Sequence, residues 1–83
     1  MANTAFQVTI ASVGETYFAG AAYSISVPGQ EGVLEVLANH EPFISTLKEG
    51  VVRVTPENGK PVSIDINGGV LEVSNNSAVV LLS

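Results

Sequence analysis

The residues best suited to chemistry lie around the one histidine of this 83-residue chain. Glu41 follows His40 directly, and Glu35 and Glu49 lie a few positions away on either side. A histidine that is oriented by a carboxylate can serve as a general base. Successive residues of an extended chain point to opposite faces, however, which separates the side chains of His40 and Glu41. We therefore predict no catalytic residue here and expect His40 to have a structural or interface role.

Metal and phosphate sites are also not expected. The chain contains no cysteine, and its carboxylates are scattered singly, which leaves a metal ion without enough ligands. The glycine-rich stretches "GQEG" and "NGG" lack the lysine and the serine or threonine of a phosphate-binding loop. We predict no metal and no cofactor, and we interpret Gly50, Gly68 and Gly69 as structural turns. At Gly68 and Gly69 we expect a close approach of backbones or a positive φ.

The charge balance argues against nucleic acid as a partner. The net charge is −5, and Lys48, Arg53 and Lys60 are the only cations, so a phosphate backbone would be repelled. Charged residues make up 13% of the chain, which is about half of the usual ~25%. This low density indicates that partner proteins cover part of the surface. The alternative is a surface made polar by serine, threonine, asparagine and glycine instead of charges.

No segment of the sequence is expected to cross a membrane. The longest apolar runs, such as "AVVLL" from Ala78 to Leu82, are far shorter than the ~18 residues that a spanning helix needs. The opening "MANTAFQVTIAS" has no basic region before an apolar stretch, so we expect neither a secretory signal nor a transit peptide. The predicted location is the bacterial cytoplasm.

Alternating apolar residues predict strands along the whole chain. Phe6, Val8 and Ile10 alternate with polar or small residues, and a second alternation predicts a strand through Tyr23 to Val27. Further short strands are predicted at "VLEVL", "FISTLK", "VVRVT", "VSIDI", "VLEV" and "AVVLLS", with Asn58 and Gly59 in a hairpin turn. The fold class is therefore all-β, a single small β-sandwich or flattened barrel of about 8 to 10 short strands, forming one domain over residues 1–83.

Two stretches, "VPGQEGVLEVLANHEPFISTLKEGVVRV" and "INGGVLEVSNNSAVVLL", resemble the N-terminal β-sandwich of the epsilon subunit of F-type ATP synthases, called delta in mitochondria. Phe6 to Ser12, followed by Phe18 and Gly20, are similar to the first strand and the short second strand of that family. The chain departs from the family pattern at Glu35, Ala38, Glu41 and Glu49, where the family usually has glycine, proline, a small residue and proline. The corner around His40 is therefore more acidic than is usual.

The resemblance implies a non-catalytic rotor subunit that links the gamma subunit to the ring of c subunits. The turn that matches the ring-contacting loop of the family consists of Pro28, Gly29, Gln30, Glu31, Gly32, Val33 and Leu34. The region that matches the gamma-facing corner consists of Asn39, His40, Glu41 and Pro42. The resemblance also implies a peripheral position at the cytoplasmic face of the bacterial inner membrane, without a membrane span of its own.

Members of the family generally continue beyond the position of Ser83 into two C-terminal helices that can restrain ATP hydrolysis. This sequence stops at its last predicted strand, so we expect a chain without a C-terminal helical domain, which couples rotation without inhibiting hydrolysis. Two other hypotheses stay open on the residues alone. One is a free-standing sandwich that binds a ligand or a peptide at a sheet edge, and the other is a hydrolase built on His40.

Overall fold

The computed structural model describes residues 4–83, which fold into strands and turns. The strands are β1 (Phe6–Ser12), β2 (Glu15–Gly29), β3 (Gly32–Leu37), β4 (Phe43–Leu47), β5 (Gly50–Pro56), β6 (Val62–Ile66), β7 (Gly69–Ser74) and β8 (Ser77–Leu82). No helix that is long and apolar enough to cross a bilayer occurs among residues 4–83. The prediction of an all-β sandwich is confirmed, with eight strands in the part of the chain that the structure describes.

Strand β2 belongs to both layers of the sandwich. Its first half pairs with β1, from Ala22 opposite Phe6 to Glu15 opposite Ser12. Its second half pairs with β3 on one side and with β5 on the other, and β6 extends that layer beyond β5. The first layer contains β1, β8, β7 and β4 in that order. One strand therefore links the two layers, and the eight strands of residues 4–83 form one continuous hydrogen-bonded sheet.

The length of β2 forces it to bend. Fifteen residues in a straight strand would span roughly 46 Å at about 3.3 Å per residue, whereas the longest dimension of the domain is 35 Å. The register with β5 shifts between Ala22 and Ser24, which places an extra residue, Tyr23, in β2. Such a bulge bends a strand and increases its twist, and it lies where β2 passes from one layer to the other.

The family resemblance implies a short strand at Phe18 and Gly20, and the alternation predicts another strand from Tyr23 to Val27. The structure joins the two into β2. The reason is the bulge, because it interrupts the alternation of side chains without ending the strand. Ile25 and Val27 are fully buried, as the alternation predicts, while Tyr23 is only half-buried. The break in the alternation of apolar residues thus marks a bend in strand β2 and not the end of a strand.

The strands of the first layer pair with strands that are distant in the sequence. Strand β1 runs parallel to β8, from Gln7 opposite Ser77 to Ala11 opposite Leu81. The other pairings are antiparallel. Strand β4 pairs with β7 along its length and meets β2 only through Leu47 opposite Gly29.

One core lies between the two layers, and its side chains are aliphatic apart from one phenylalanine. The buried residues are Phe6, Val8, Ile10, Ala22, Ile25, Val27, Val36, Leu47, Val52, Val54, Ile66, Leu71, Val73, Ala78 and Val80. No polar or charged side chain in residues 4–83 is buried. The predicted inward set of β1, which is Phe6, Val8 and Ile10, is confirmed.

Candidate functional site

The turn predicted to contact a ring, Pro28 to Leu34, forms the tip of the hairpin between β2 and β3. Gln30 and Glu31 make the turn itself, and Gly29 pairs with Gly32 across it. Both residues of the turn are exposed, and Val33 is 75% exposed. Pro28 and Gly29 are buried instead. We call residues 30–33 the hairpin tip, because they present the outward surface of this segment.

The base of this hairpin is held by the start of β5 and the residues before it. The backbone N–H of Lys48 donates to the carbonyl oxygen of Pro28 at 2.9 Å. Gly50 packs so closely on Pro28 that a Cβ at position 50 would lie 2.8 Å from the proline Cβ. A glycine is therefore required at position 50 for the two backbone segments to approach. These contacts fix the direction in which the hairpin tip projects.

An open groove of about 540 Å³ runs from the hairpin tip along β4. Its walls are residues 29–34 on one side and Ile44, Ser45 and Thr46 on the other. Consecutive residues of a strand point to opposite faces, so a groove that touches three in succession follows the strand edge. Ile44 is 69% exposed at this edge.

The corner predicted to contact gamma, Asn39 to Pro42, connects β3 to β4, and its residues are all exposed. Asn39 has φ of 65°, in the left-handed region that asparagine tolerates better than most residues. The His40 Nδ1 lies 3.3 Å from the backbone oxygen of Glu41, which accepts from this nitrogen. The His40 ring also lies against Phe43, with 5.2 Å between ring centroids. His40 thus contacts the backbone and not the carboxylate of Glu41.

The corner and the hairpin tip lie at opposite ends of β3. Strand β3 runs from Gly32 to Leu37, and at about 3.3 Å per residue its length is roughly 17 Å. The two predicted interfaces therefore form separate surfaces, and the groove includes Glu31 but not His40. No group of three or more His, Cys, Asp or Glu side chains that could hold a metal ion occurs within residues 4–83.

A third surface lies on the outer face of the first layer, and the sequence interpretation missed it. Val70 and Leu81 are directly opposite each other on β7 and β8, and they are 40% and 56% exposed. In the next row on the same face, Glu72 lies between Ile44 on β4 and Val79 on β8. We call Ile44, Val70, Val79 and Leu81 the outer strip. The uninterrupted apolar run of β8 could have indicated the outer strip, since such runs are typical of strands that are covered on both faces.

The glycines predicted as turns before β7 lie at a crowded point between strands. Gly68 has φ of 153° and is buried, and its carbonyl oxygen accepts from the N–H of Ser83 at 3.1 Å. A Cβ at Gly69 would collide with the carbonyl oxygen of Leu81. The start of β7 can therefore pair with the end of β8 only if position 69 has no side chain.

Comparison with known sequences places the chain beside one family. The family model described as "ATP synthase, Delta/Epsilon chain, beta-sandwich domain" matches residues 5–83. The ATP synthase epsilon chain of Dichelobacter nodosus is 38% identical over 79 residues, covering 95% of this chain and 55% of that relative. Epsilon chain 1 of Methylococcus capsulatus is 42% identical over 74 residues, covering 89% and 53%. The chain thus spans about half the length of these two relatives.

A shorter relative and two solved structures extend the comparison. The epsilon chain of Chlorobium limicola is 33% identical over 79 residues, which covers 95% of this chain and 90% of that relative. A chain in the Euglena gracilis mitochondrial ATP synthase, an OSCP/F1/c-ring structure, superposes with a TM-score of 0.85 at 25% identity, covering 99% of this chain and 53% of that one. A Tetrahymena thermophila mitochondrial ATP synthase chain has the same fold, with a TM-score of 0.78 at 18% identity, covering 99% and 66%.

Proposed function

Because the chain belongs to the family of ATP synthase delta/epsilon β-sandwich domains, we propose that it is a non-catalytic rotor part of an F-type ATP synthase. In this role it joins the gamma subunit to the ring of c subunits and passes rotation between them. It acts by holding gamma and the c-ring in a fixed position relative to each other.

The observation that carries the proposal is the presence of two exposed and chemically different surfaces on one sandwich, which meet at the groove between the hairpin tip and Ile44. The outer strip is apolar, with Ile44 69% and Leu81 56% exposed. The hairpin tip is polar at its turn, where Gln30 and Glu31 are exposed. Exposed apolar patches on small domains mark protein contacts. A part that joins two proteins needs two exposed surfaces, and the outer strip and the hairpin tip supply them.

We assign the gamma contact to the corner at Asn39 to Pro42 together with the outer strip. The corner leads directly into β4, so His40 and Ile44 are only a few positions apart in the sequence. The corner therefore lies next to the outer strip. The centre of a stable interface is usually depleted of charge and rich in well-packed apolar and aromatic groups, surrounded by a polar rim. The outer strip provides exposed apolar side chains on either side of Glu72, and the corner provides polar groups for the rim.

We assign the ring contact to the hairpin tip. The backbone pairs of β2 and β3, the Lys48 hydrogen bond and the packing of Gly50 on Pro28 hold the tip from both sides. A contact on a rotating ring requires such a fixed projection, because a mobile loop would absorb the displacement it should transmit. Glu31 adds a charge at the rim, where electrostatic contacts tune association and its salt dependence.

The proposed location follows from the proposed partners. A sandwich that is attached to the c-ring lies at the cytoplasmic face of the bacterial inner membrane, as a peripheral component held through the complex. The chemistry of ATP synthesis then belongs to other subunits, and this chain contributes position and stiffness.

The experiment is reconstitution of a membrane-bound F-type ATPase from which its own epsilon subunit has been removed. Adding this chain should restore proton pumping that is linked to hydrolysis, and the chain should copurify with gamma and the c-ring. An unrelated β-sandwich protein of similar size and charge serves as the control. Failure of the chain to bind either gamma or the ring would overturn the proposal.

A further inference from the structure

Two asparagines of the chain are each followed by glycine, Asn58 before Gly59 and Asn67 before Gly68. In such a pair the backbone nitrogen of the glycine can attack the side-chain Cγ of the asparagine. A new N–Cγ bond forms, the Cγ–NH₂ bond breaks, and ammonia leaves with the proton of the amide nitrogen. Water then opens the five-membered succinimide at either carbonyl carbon and yields aspartate or isoaspartate. No oxidant or enzyme is required.

The structure places the two pairs in opposite environments. Residues 57–60 are all exposed and lie in the loop between the end of β5 and the start of β6. Gly59 has φ of 98°, and a Cβ built on it would find no atom within 4 Å. The loop is tied at its beginning, where the N–H of Glu57 donates to the carbonyl oxygen of Ala21 at 3.0 Å. Asn58 and Gly59 lie beyond that anchor, open to water.

The second pair is held by three strands. Gly68 is buried although Asn67 is exposed. A Cβ at Gly68 would lie 3.4 Å from Ser83 Oγ and 3.5 Å from the Leu47 carbonyl oxygen. The Ser83 N–H holds the Gly68 carbonyl oxygen at 3.1 Å, and Gly69 pairs with both Leu47 and Leu82. The attacking nitrogen cannot rotate toward Cγ of Asn67 unless this junction opens.

We propose that Asn58 is a site of spontaneous deamidation and isomerisation in the folded chain, and that the fold protects Asn67 from the same reaction. The product adds one negative charge to a chain whose net charge is −5. Where isoaspartate forms, the main chain of the loop also gains one carbon atom. The change lies outside the strands, so the sandwich remains folded while the β5–β6 loop becomes more acidic and longer.

The experiment follows the side-chain amide signals of each asparagine by ¹⁵N NMR while the full chain is kept in warm, mildly alkaline buffer. The Asn58 signal should decay first, with Asn67 slower by at least about tenfold, because reaction at a held backbone must pass through local opening. In denaturant both pairs are free, and the two rates should become similar. Mass spectrometric fragmentation then locates the converted residue.

Two matched variants complete the design. Asn58→Gln should abolish the fast reaction, since the longer side chain cannot close the five-membered ring, whereas Asn67→Gln should leave the fast rate unchanged. Equal rates in the folded chain would overturn the proposal, as would a stable Asn58 signal. A rate ratio that persists in denaturant would show that the fold does not cause the difference, which would overturn the protection of Asn67.

Discussion

Val70 and Leu81 face each other across β7 and β8, and both side chains point away from the core that their neighbours Leu71 and Val80 fill. Directly opposite residues in an antiparallel pair have Cβ atoms about 4.5–5.5 Å apart, so these two side chains form one continuous apolar surface. The sheet has an apolar inner face and an outer face on which apolar side chains lie beside polar ones such as Glu72 and Thr46. The inner face accounts for the stability of the sandwich, and the outer face is available for a partner.

Leu81→Lys is expected to weaken the association with gamma by about 1–2 kcal/mol or more, as for a central interface residue. Val51→Lys is the matched control, because Val51 is exposed on β5 of the other layer, opposite Asp65. Calorimetric titration with purified gamma measures both. Equal affinities for the two variants would remove the outer strip from the interface.

His40→Ala is expected to leave the free energy of unfolding within about 0.5 kcal/mol of the wild type, because exposed positions contribute little. Its binding to gamma should be weaker, since the corner loses a side chain that is ordered against Phe43. Chemical denaturation and a gamma-binding assay test the two parts separately. His40→Phe keeps a ring beside Phe43 and shows whether shape or polarity matters. Wild-type affinity in folded His40→Ala would exclude His40 from the interface.

Glu31→Lys is expected to change retention of the chain on membranes that contain the c-ring, and the difference from wild type should shrink as salt rises. Glu31 is exposed in the turn of the hairpin tip. Glu57→Lys makes the same charge change in the β5–β6 loop and serves as the control. Retention is measured by sedimentation over a series of salt concentrations. If both variants behave alike, the contact lies elsewhere on the domain.

Gly69→Ala is expected to destabilise the domain by about 1–3 kcal/mol, the usual effect of forcing extra atoms into a packed site. The new Cβ would collide with the Leu81 carbonyl oxygen, which the backbone cannot easily move. Gly20→Ala is the control, because a Cβ there lies 3.8 Å from the Phe18 ring, an ordinary contact. Thermal unfolding should show a lower Tm for Gly69→Ala alone. Similar melting of both variants would contradict the close approach at Gly69.

The sequence predicts the fold well because inward residues alternate with outward ones in strands such as β1, and turns carry the expected residues. The inward set Phe6, Val8 and Ile10 follows from alternation alone. The length of β2 does not follow, because the extra residue Tyr23 changes the alternation without ending the strand. Local patterns do not distinguish a bulge from a strand end.

Two of the candidate surfaces could be predicted before the structure was known, and the third could not. The loops around Glu31 and His40 are candidates because of the family resemblance, and their exposure is expected, since turns and corners are exposed in nearly every fold. The outer strip depends on which face of β7 and β8 points outward, and on the register that places Val70 opposite Leu81. Both the outward face and the register are properties of the assembled sheet. The sequence therefore shows an apolar run in β8 but does not predict which of its residues form the outer strip.

The parallel ladder between β1 and β8 joins Gln7 to Ser77 and Ala11 to Leu81, residues seventy positions apart. Such contacts lower folding rates, because the conformational entropy of a long loop is lost before any hydrogen bond of the ladder forms. During synthesis, β1 emerges from the ribosome long before the strand that covers its edge. Until β8 arrives, that edge is an unpaired template for other chains, and the interval is set by the speed of translation and not by the chemistry of the finished domain.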